Sequence, residues 1–230
     1  MPDWFKNAFV GLLDPVVGAL VRRRVHPNLI SSLGFLVTLA AAVVIFQRHL
    51  FWGSVVFLLG GMMDILDGRV ARETGLASKF GSFYDSTLDR VSEIVVYFSL
   101  YAYFRPMDNF WWVGYVVILA MVGSLMVSYT RAKAEALGVD CKIGMMQRPE
   151  RVVALGVGGL LVPVAAAIGP RWEYAPLLLA IGFIAVLANF TAIERIHSVY
   201  TLARGVPLDE PPHSRSSPMS GGFPEDRDDG

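Results

Sequence analysis

Only an α-helix or a closed barrel satisfies its own backbone hydrogen bonds inside a lipid bilayer, and a helix needs about 20 apolar residues to cross one. Six stretches of this chain approach or meet that requirement: residues 29–47, 50–66, 84–104, 109–129, 152–168 and 174–193. Arg48 and His49 alone separate the first two, which demands a tight turn between them. The predicted fold class is therefore an all-α integral membrane protein with six transmembrane helices. Composition agrees, since 54% of the 230 residues are hydrophobic and only 17% are charged, against about 25% charged in ordinary soluble domains. One membrane domain accounts for the whole apolar pattern.

Orientation follows from the cations. With both termini on one side, all but Arg48, Arg105 and Arg171 of the 20 basic residues fall on that side. The positive-inside rule then puts both termini in the cytoplasm of a plasma or inner membrane. Formal net charge is zero, so nothing in the overall charge suggests a nucleic-acid partner. Cys141 is the only cysteine, which excludes an intrachain disulfide and a cysteine-based zinc site.

The ends read differently from the centre. Residues 1–25 carry Phe5, Phe9, Leu12, Leu13, Val16 and Leu20 at helical spacing, followed by Arg22-Arg23-Arg24. The arginines follow the apolar stretch, so it is not a cleavable signal peptide. It reads as a juxtamembrane amphipathic helix lying in the interface, its basic end facing anionic headgroups; an ordinary surface helix packed on the bundle fits equally. Pro15 is expected to break or kink it, and His26-Pro27-Asn28 to form a stop before the first span. Residues 26–205 form the membrane domain. Residues 206–230, rich in Pro, Ser, Gly and Asp, read as a disordered cytoplasmic tail.

Charges inside membrane spans are costly and mark function by default. The second span ends with Asp64 and Asp67, three apart, and the third begins with Asp85 and Asp89, four apart. Each pair shares a helical face. The short connection makes the two spans expected antiparallel neighbours whose carboxylates converge. Four such groups repel one another without a compensating charge. All-oxygen ligation suits Mg²⁺, Mn²⁺ or Ca²⁺, and four carboxylates suffice for two ions, an arrangement suited to in-line displacement at phosphorus. Gly60, Gly61, Gly68, Ala71 and Gly81 are expected to leave room for a ligand, with Arg72 available for phosphate oxygens. The competing reading is a transporter or ion pathway with intramembrane acids, or a structural ion-pair network.

The pattern Asp64-x-x-Asp67-Gly68-x-x-Ala71-Arg72, eight residues, Gly81-x-x-x-Asp85-x-x-x-Asp89 resembles the signature of the CDP-alcohol phosphotransferases at every fixed position. The resemblance implies a six-helix membrane fold, a homodimer, and an active site open to the cytoplasm. It also implies phospholipid biosynthesis: transfer of a phosphatidyl group from CDP-diacylglycerol to an alcohol, with release of CMP. By the same resemblance Asp64, Asp67, Asp85 and Asp89 ligate Mg²⁺ or Mn²⁺, in all two ions. Asp89 is also the catalytic general base on the acceptor hydroxyl. Gly68, Ala71, Arg72, Ser78 and Gly81 contact the CDP-diacylglycerol donor, joined by the segment Asn28, Leu29, Ile30 and Ser31. Ser31 as a helix N-cap competes with that last assignment.

The acceptor is read from a second cluster. Arg131 closes the fourth span, Arg151 opens the fifth and Arg195 lies near the end of the sixth. Three cations beside the aspartates suit an acceptor that itself carries a phosphate. The stretches Ser128-Tyr129-Thr130-Arg131-Ala132-Lys133-Ala134-Glu135 and Arg148-Pro149-Glu150-Arg151 resemble those family members that use inositol phosphate, in which the three cationic positions bind the acceptor phosphate. Glycerol 3-phosphate is the alternative acceptor. Helix-end anchoring is the competing role for the three arginines, and the simplest one for Arg148 and Lys133.

Overall fold

The computed structural model describes residues 3–107, 110–141 and 143–204, with the backbone alone for residues 3–10 and 12. The expected tail, 206–230, lies outside them. All regular structure among the described residues is helical: α1 (Asp3–Arg22), α2 (Pro27–Phe46), α3 (Leu50–Thr74), α4 (Lys79–Phe104), α5 (Phe110–Ala136), α6 (Arg148–Leu160), α7 (Val162–Ile168), a 3-10 turn (Pro170–Trp172) and α8 (Ala175–Ala203).

Five segments are long and apolar enough to cross a membrane: α2, α3, α5, the α6–α7 pair, and Pro170–Ala203. Their outward side chains include Leu36, Leu119, Leu179 and Phe183, all exposed, a surface that only hydrocarbon solvates. The chain is thus an integral membrane protein. The remaining expected span, α4, has 26 residues but carries Asp85, Asp89, Arg90 and Glu93 within its first 15 residues, which shortens its apolar stretch. Exposed Trp52, Trp111, Trp112 and Trp172 all lie at the end opposite the aspartates, where amphipathic rings mark a membrane interface.

The helices close a ring. α2 packs on α3, α3 on α6, α6 on α8, α8 on α5, α5 on α4, and α4 back on α2. The expected pairing of α3 with α4 is therefore corrected, because each makes its main contact with α2, which stands between them. Small residues permit the close approaches, as is usual where lipid gives helices no hydrophobic reason to associate. A Cβ on Gly60 would lie 2.4 Å from Thr38 Oγ1 on α2, and one on Gly61 would lie 2.7 Å from Val152 Cγ1 on α6. Both glycines seat helices against one another; Gly60 also lines the cleft beside the aspartates, whereas Gly61 only packs against α6. Asn189 on α8 donates to Leu119 O on α5 (3.0 Å) and to Ala185 O (2.7 Å), satisfying its amide inside the bundle.

Two local expectations change. α1 runs through Pro15 instead of breaking there, held by the buried side chains of Leu13 and Val17 against Ile30, Leu66 and Val70. His26-Pro27-Asn28 is not a stop. Pro27 opens α2, and His26 caps it by accepting the Asn28 N–H at Nδ1 (3.2 Å), since a first-turn proline has no N–H to leave unpaired.

Candidate active site

Asp64 and Asp67 project from α3 and Asp85 from α4, and their carboxylate oxygens lie within 4.8 Å of one another. Asp67 is 5% exposed. It is held from α2 by Ser31, whose Oγ donates to Asp67 Oδ2 at 2.6 Å. Ser31 is therefore no N-cap, since His26 has that role, and it fixes a carboxylate instead. Tyr84 OH and Ser32 Oγ, 3.0 Å apart, tie the start of α4 to the same helix. The position of α2 between α3 and α4 is what lets both pairs of acids be oriented from one scaffold.

The fourth acid, Asp89, joins the group through a residue that simple helix-end anchoring does not describe. Arg148, in the first turn of α6, reaches Asp64 Oδ2 at 2.5 Å and Asp89 Oδ1 at 2.7 Å. One guanidinium thus offsets part of the repulsion among the carboxylates and docks α6 onto α3 and α4. A cleft is lined by Ser31, Asp64, Asp67, Asp85, Asp89 and Arg148, with Gly34, Gly60, Phe35 and Leu88 among the neighbours that close it. Three convergent carboxylates fit a hard divalent cation such as Mg²⁺ or Mn²⁺, and nothing softer than oxygen is offered.

The donor residues gather beside this cleft in part. Arg72 lies over Gly68, since a Cβ there would be 3.5 Å from Arg72 Nη1, and Ala71 is half-buried one residue before Arg72. Ser78 caps α4, its Oγ accepting the Gly81 N–H at 3.0 Å. A Cβ on Gly81 would lie 3.1 Å from both Ser78 Oγ and Asn28 Oδ1, so a side chain there would crowd two groups of the expected donor set. Leu29 is exposed, whereas the Ile30 side chain turns away, 3% exposed in the cluster beneath α1.

The arginines separate into three situations. Arg131 is 43% exposed and paired with Glu135 at 2.9 Å. Arg195 is 2% exposed and donates through Nε to Ile143 O (2.8 Å) and through Nη1 to Val127 O (2.6 Å), which ties the α5–α6 connection to α8. Arg151 is 1% exposed, with Nε on Glu93 Oε1 (2.6 Å), Nη1 on Met146 O (3.1 Å), and Nη2 buried without a partner. Arg131 and Arg151 both act electrostatically on Arg195, so the three charges share one neighbourhood. Among the described residues four buried side-chain polar atoms lack a partner, and Arg148 Nε, Glu150 Oε2 and Arg151 Nη2 are three of them. Such groups are rare in native proteins and concentrate where a ligand belongs. Sequence reasoning passed over Arg148 and Glu93. The signal for Glu93 was available: an acid four residues beyond Asp89 in the same apolar run.

Known proteins are similar to this chain. The CDP-alcohol phosphatidyltransferase family profile matches residues 24–192. The phosphatidylinositol phosphate synthase of Mycobacteroides abscessus is 30% identical over 206 residues, covering 85% of this chain and 87% of its own. The archaetidylinositol phosphate synthase of Methanothermobacter thermautotrophicus is 32% identical over 201 residues, covering 87% and 94%. Crystal structures of the Mycobacterium tuberculosis phosphatidylinositol phosphate synthase are 28% identical to the chain. The form with CDP-DAG bound superposes with a TM-score of 0.71 over 81% of this chain and 92% of that one. The form in complex with manganese and citrate gives 0.72 over 81% and 88%. The signature aspartates, their convergence at one end of a helical ring and these relationships lead to one conclusion: the chain belongs to the CDP-alcohol phosphatidyltransferase family.

Proposed function

We propose that this enzyme transfers the phosphatidyl group of CDP-diacylglycerol to inositol phosphate, giving phosphatidylinositol phosphate and CMP. The observation that carries a phosphorylated acceptor is Arg151, a buried guanidinium with one unpartnered nitrogen, close to Arg195 and beside the carboxylate cleft. The relatives named for inositol phosphate products support the same acceptor. Glycerol 3-phosphate is the alternative, because it too presents a phosphate.

In this reading Asp64, Asp67 and Asp85 hold Mg²⁺ or Mn²⁺, and Asp89 completes a set large enough for two ions. Bound metal supplies Lewis-acid polarisation of the phosphoryl oxygens and neutralises their charge. Asn28, Gly68, Ala71, Arg72, Ser78 and Gly81 hold the CDP portion of the donor, with Leu29 and Ser31 beside them and Ile30 contributing through backbone alone. Asp89 accepts the proton of the attacking hydroxyl. The new O–P bond forms as the P–O bond to CMP breaks, and the phosphate of inositol phosphate stays on the arginines Arg131, Arg151 and Arg195. Positioning and charge complementarity carry most of the acceleration.

The same reading makes α4 the sixth span, since 26 residues at about 1.5 Å each exceed the hydrocarbon thickness. It lays α1 in the membrane interface, puts both termini and the cleft in the cytoplasm, assigns the catalytic domain to residues 26–205, and pairs two copies as a homodimer. The decisive assay uses purified protein with labelled CDP-diacylglycerol, Mn²⁺ and one candidate acceptor at a time. CMP release with inositol phosphate is expected. Release with glycerol 3-phosphate alone would overturn the acceptor, and no release with any alcohol would overturn the reading altogether.

A further inference from the structure

Asp85, Asp89 and Glu93 recur every four residues along α4, so they form one stripe. The first two belong to the reaction. Glu93 lies one turn further into the membrane, 8% exposed, where an acid has no inexpensive reason to be. Its partner is Arg151, at 2.6 Å from Nε to Oε1. Arg148 and Arg151 are three apart on α6 and share a face, so two rungs form: Asp89 with Arg148, and Glu93 with Arg151. α4 and α6 are not neighbours in the ring. These side chains span the space between them.

The fork of Arg151 is divided unevenly. Glu93 takes Nε, the Met146 carbonyl takes Nη1 (3.1 Å), and Nη2 is buried and unpartnered. Two fixed hydrogen bonds determine the plane and rotation of a guanidinium, because its donors are rigidly disposed. The third direction is then fixed too, and no acceptor in the protein meets the charged N–H there. A pair built for stability alone would leave no buried donor unsatisfied.

We propose that Glu93 is a positioning residue for the acceptor, holding Arg151 so that Nη2 meets the phosphate of the incoming alcohol. This rests on the reading that Arg151 binds that phosphate. Glu93 touches no substrate itself. It acts only through the arginine.

The test measures KM for inositol phosphate and for CDP-diacylglycerol, together with Mn²⁺ affinity without acceptor, in Glu93→Gln, Glu93→Asp and Arg151→Gln. Glu93→Gln is expected to raise the acceptor KM about tenfold or more, as loss of a charge-assisted contact does, with donor KM and Mn²⁺ affinity unchanged. Glu93→Asp keeps the charge and is expected to recover part of the loss. An unchanged acceptor KM in Glu93→Gln, with a raised one in Arg151→Gln, would overturn the role of Glu93. An unchanged acceptor KM in Arg151→Gln would overturn the reading beneath it. If Glu93→Gln does not fold, Glu93→Asp decides: acceptor KM rising alone supports the proposal, and acceptor and donor KM rising together defeats it.

Discussion

One hydroxyl illustrates how the site is tuned at the scale of a residue. Ser31 donates to Asp67 at 2.6 Å, which fixes one oxygen of a carboxylate proposed to ligate the metal. Outer partners of this kind typically alter metal affinity by 10- to 100-fold. Ser31→Ala is accordingly expected to weaken Mn²⁺ binding about tenfold, read by titration calorimetry or by the Mn²⁺ electron paramagnetic resonance signal. Asp89→Asn removes the proposed proton acceptor but keeps the side chain's size. Its turnover is expected to fall by about 10²- to 10⁴-fold while CDP-diacylglycerol binding persists, as a binding measurement with labelled donor would establish. The four aspartates were legible in the sequence because charge inside an apolar run stands out against its surroundings. Ser31 was not, since a serine near a helix start reads the same whether it caps the helix or reaches across to another one. Arg148 was hidden for a related reason: basic residues at the ends of spans are expected on topological grounds, and only the fold shows this one between Asp64 and Asp89.

At the scale of elements, the fit of α6 against α3 governs whether Arg148 reaches the cleft. A Cβ on Gly159 would lie 1.8 Å from Ser54 Oγ, and one on Gly156 2.3 Å from Leu58 Cδ2. Gly159→Val is expected to push the helices apart, at a cost of about 1–3 kcal/mol, and to lower Mn²⁺-supported turnover with it. Thermal unfolding in detergent checks the first effect, with Gly182→Ala as the control because its Cβ would meet nothing within 4 Å. Helix spans were readable from hydropathy, since length and apolarity are properties of one segment. Which helix neighbours which was not, because lipid-facing and helix-facing sides are both apolar. That is why α2 between α3 and α4 had to be seen. The division of the fifth span at Leu161, where Pro163 cannot donate into the helix, was equally absent from a count of apolar residues.

For the whole molecule, orientation is the property that chemistry depends on, because CDP-linked donors and phosphorylated alcohols are cytoplasmic. Cys141 is buried, so an introduced cysteine is the one reactive thiol. In intact cells a membrane-impermeant maleimide is expected to label Arg171→Cys, in the turn before α8, and not Ala77→Cys, between α3 and α4. The opposite labelling pattern would reverse the assigned sidedness. The ring itself consists of three hairpins, α2 with α3, α4 with α5, and α6–α7 with α8, and the cleft lies where all three meet. Ribosomes deliver these hairpins in order. The aspartates enter the bilayer with the first two, whereas Arg148 and Arg151 are still unmade, so the newborn chain holds acids whose counter-charges arrive only with the third. A chain stalled after α5 would therefore retain the whole signature yet lack Arg148, the cation that bridges Asp64 and Asp89.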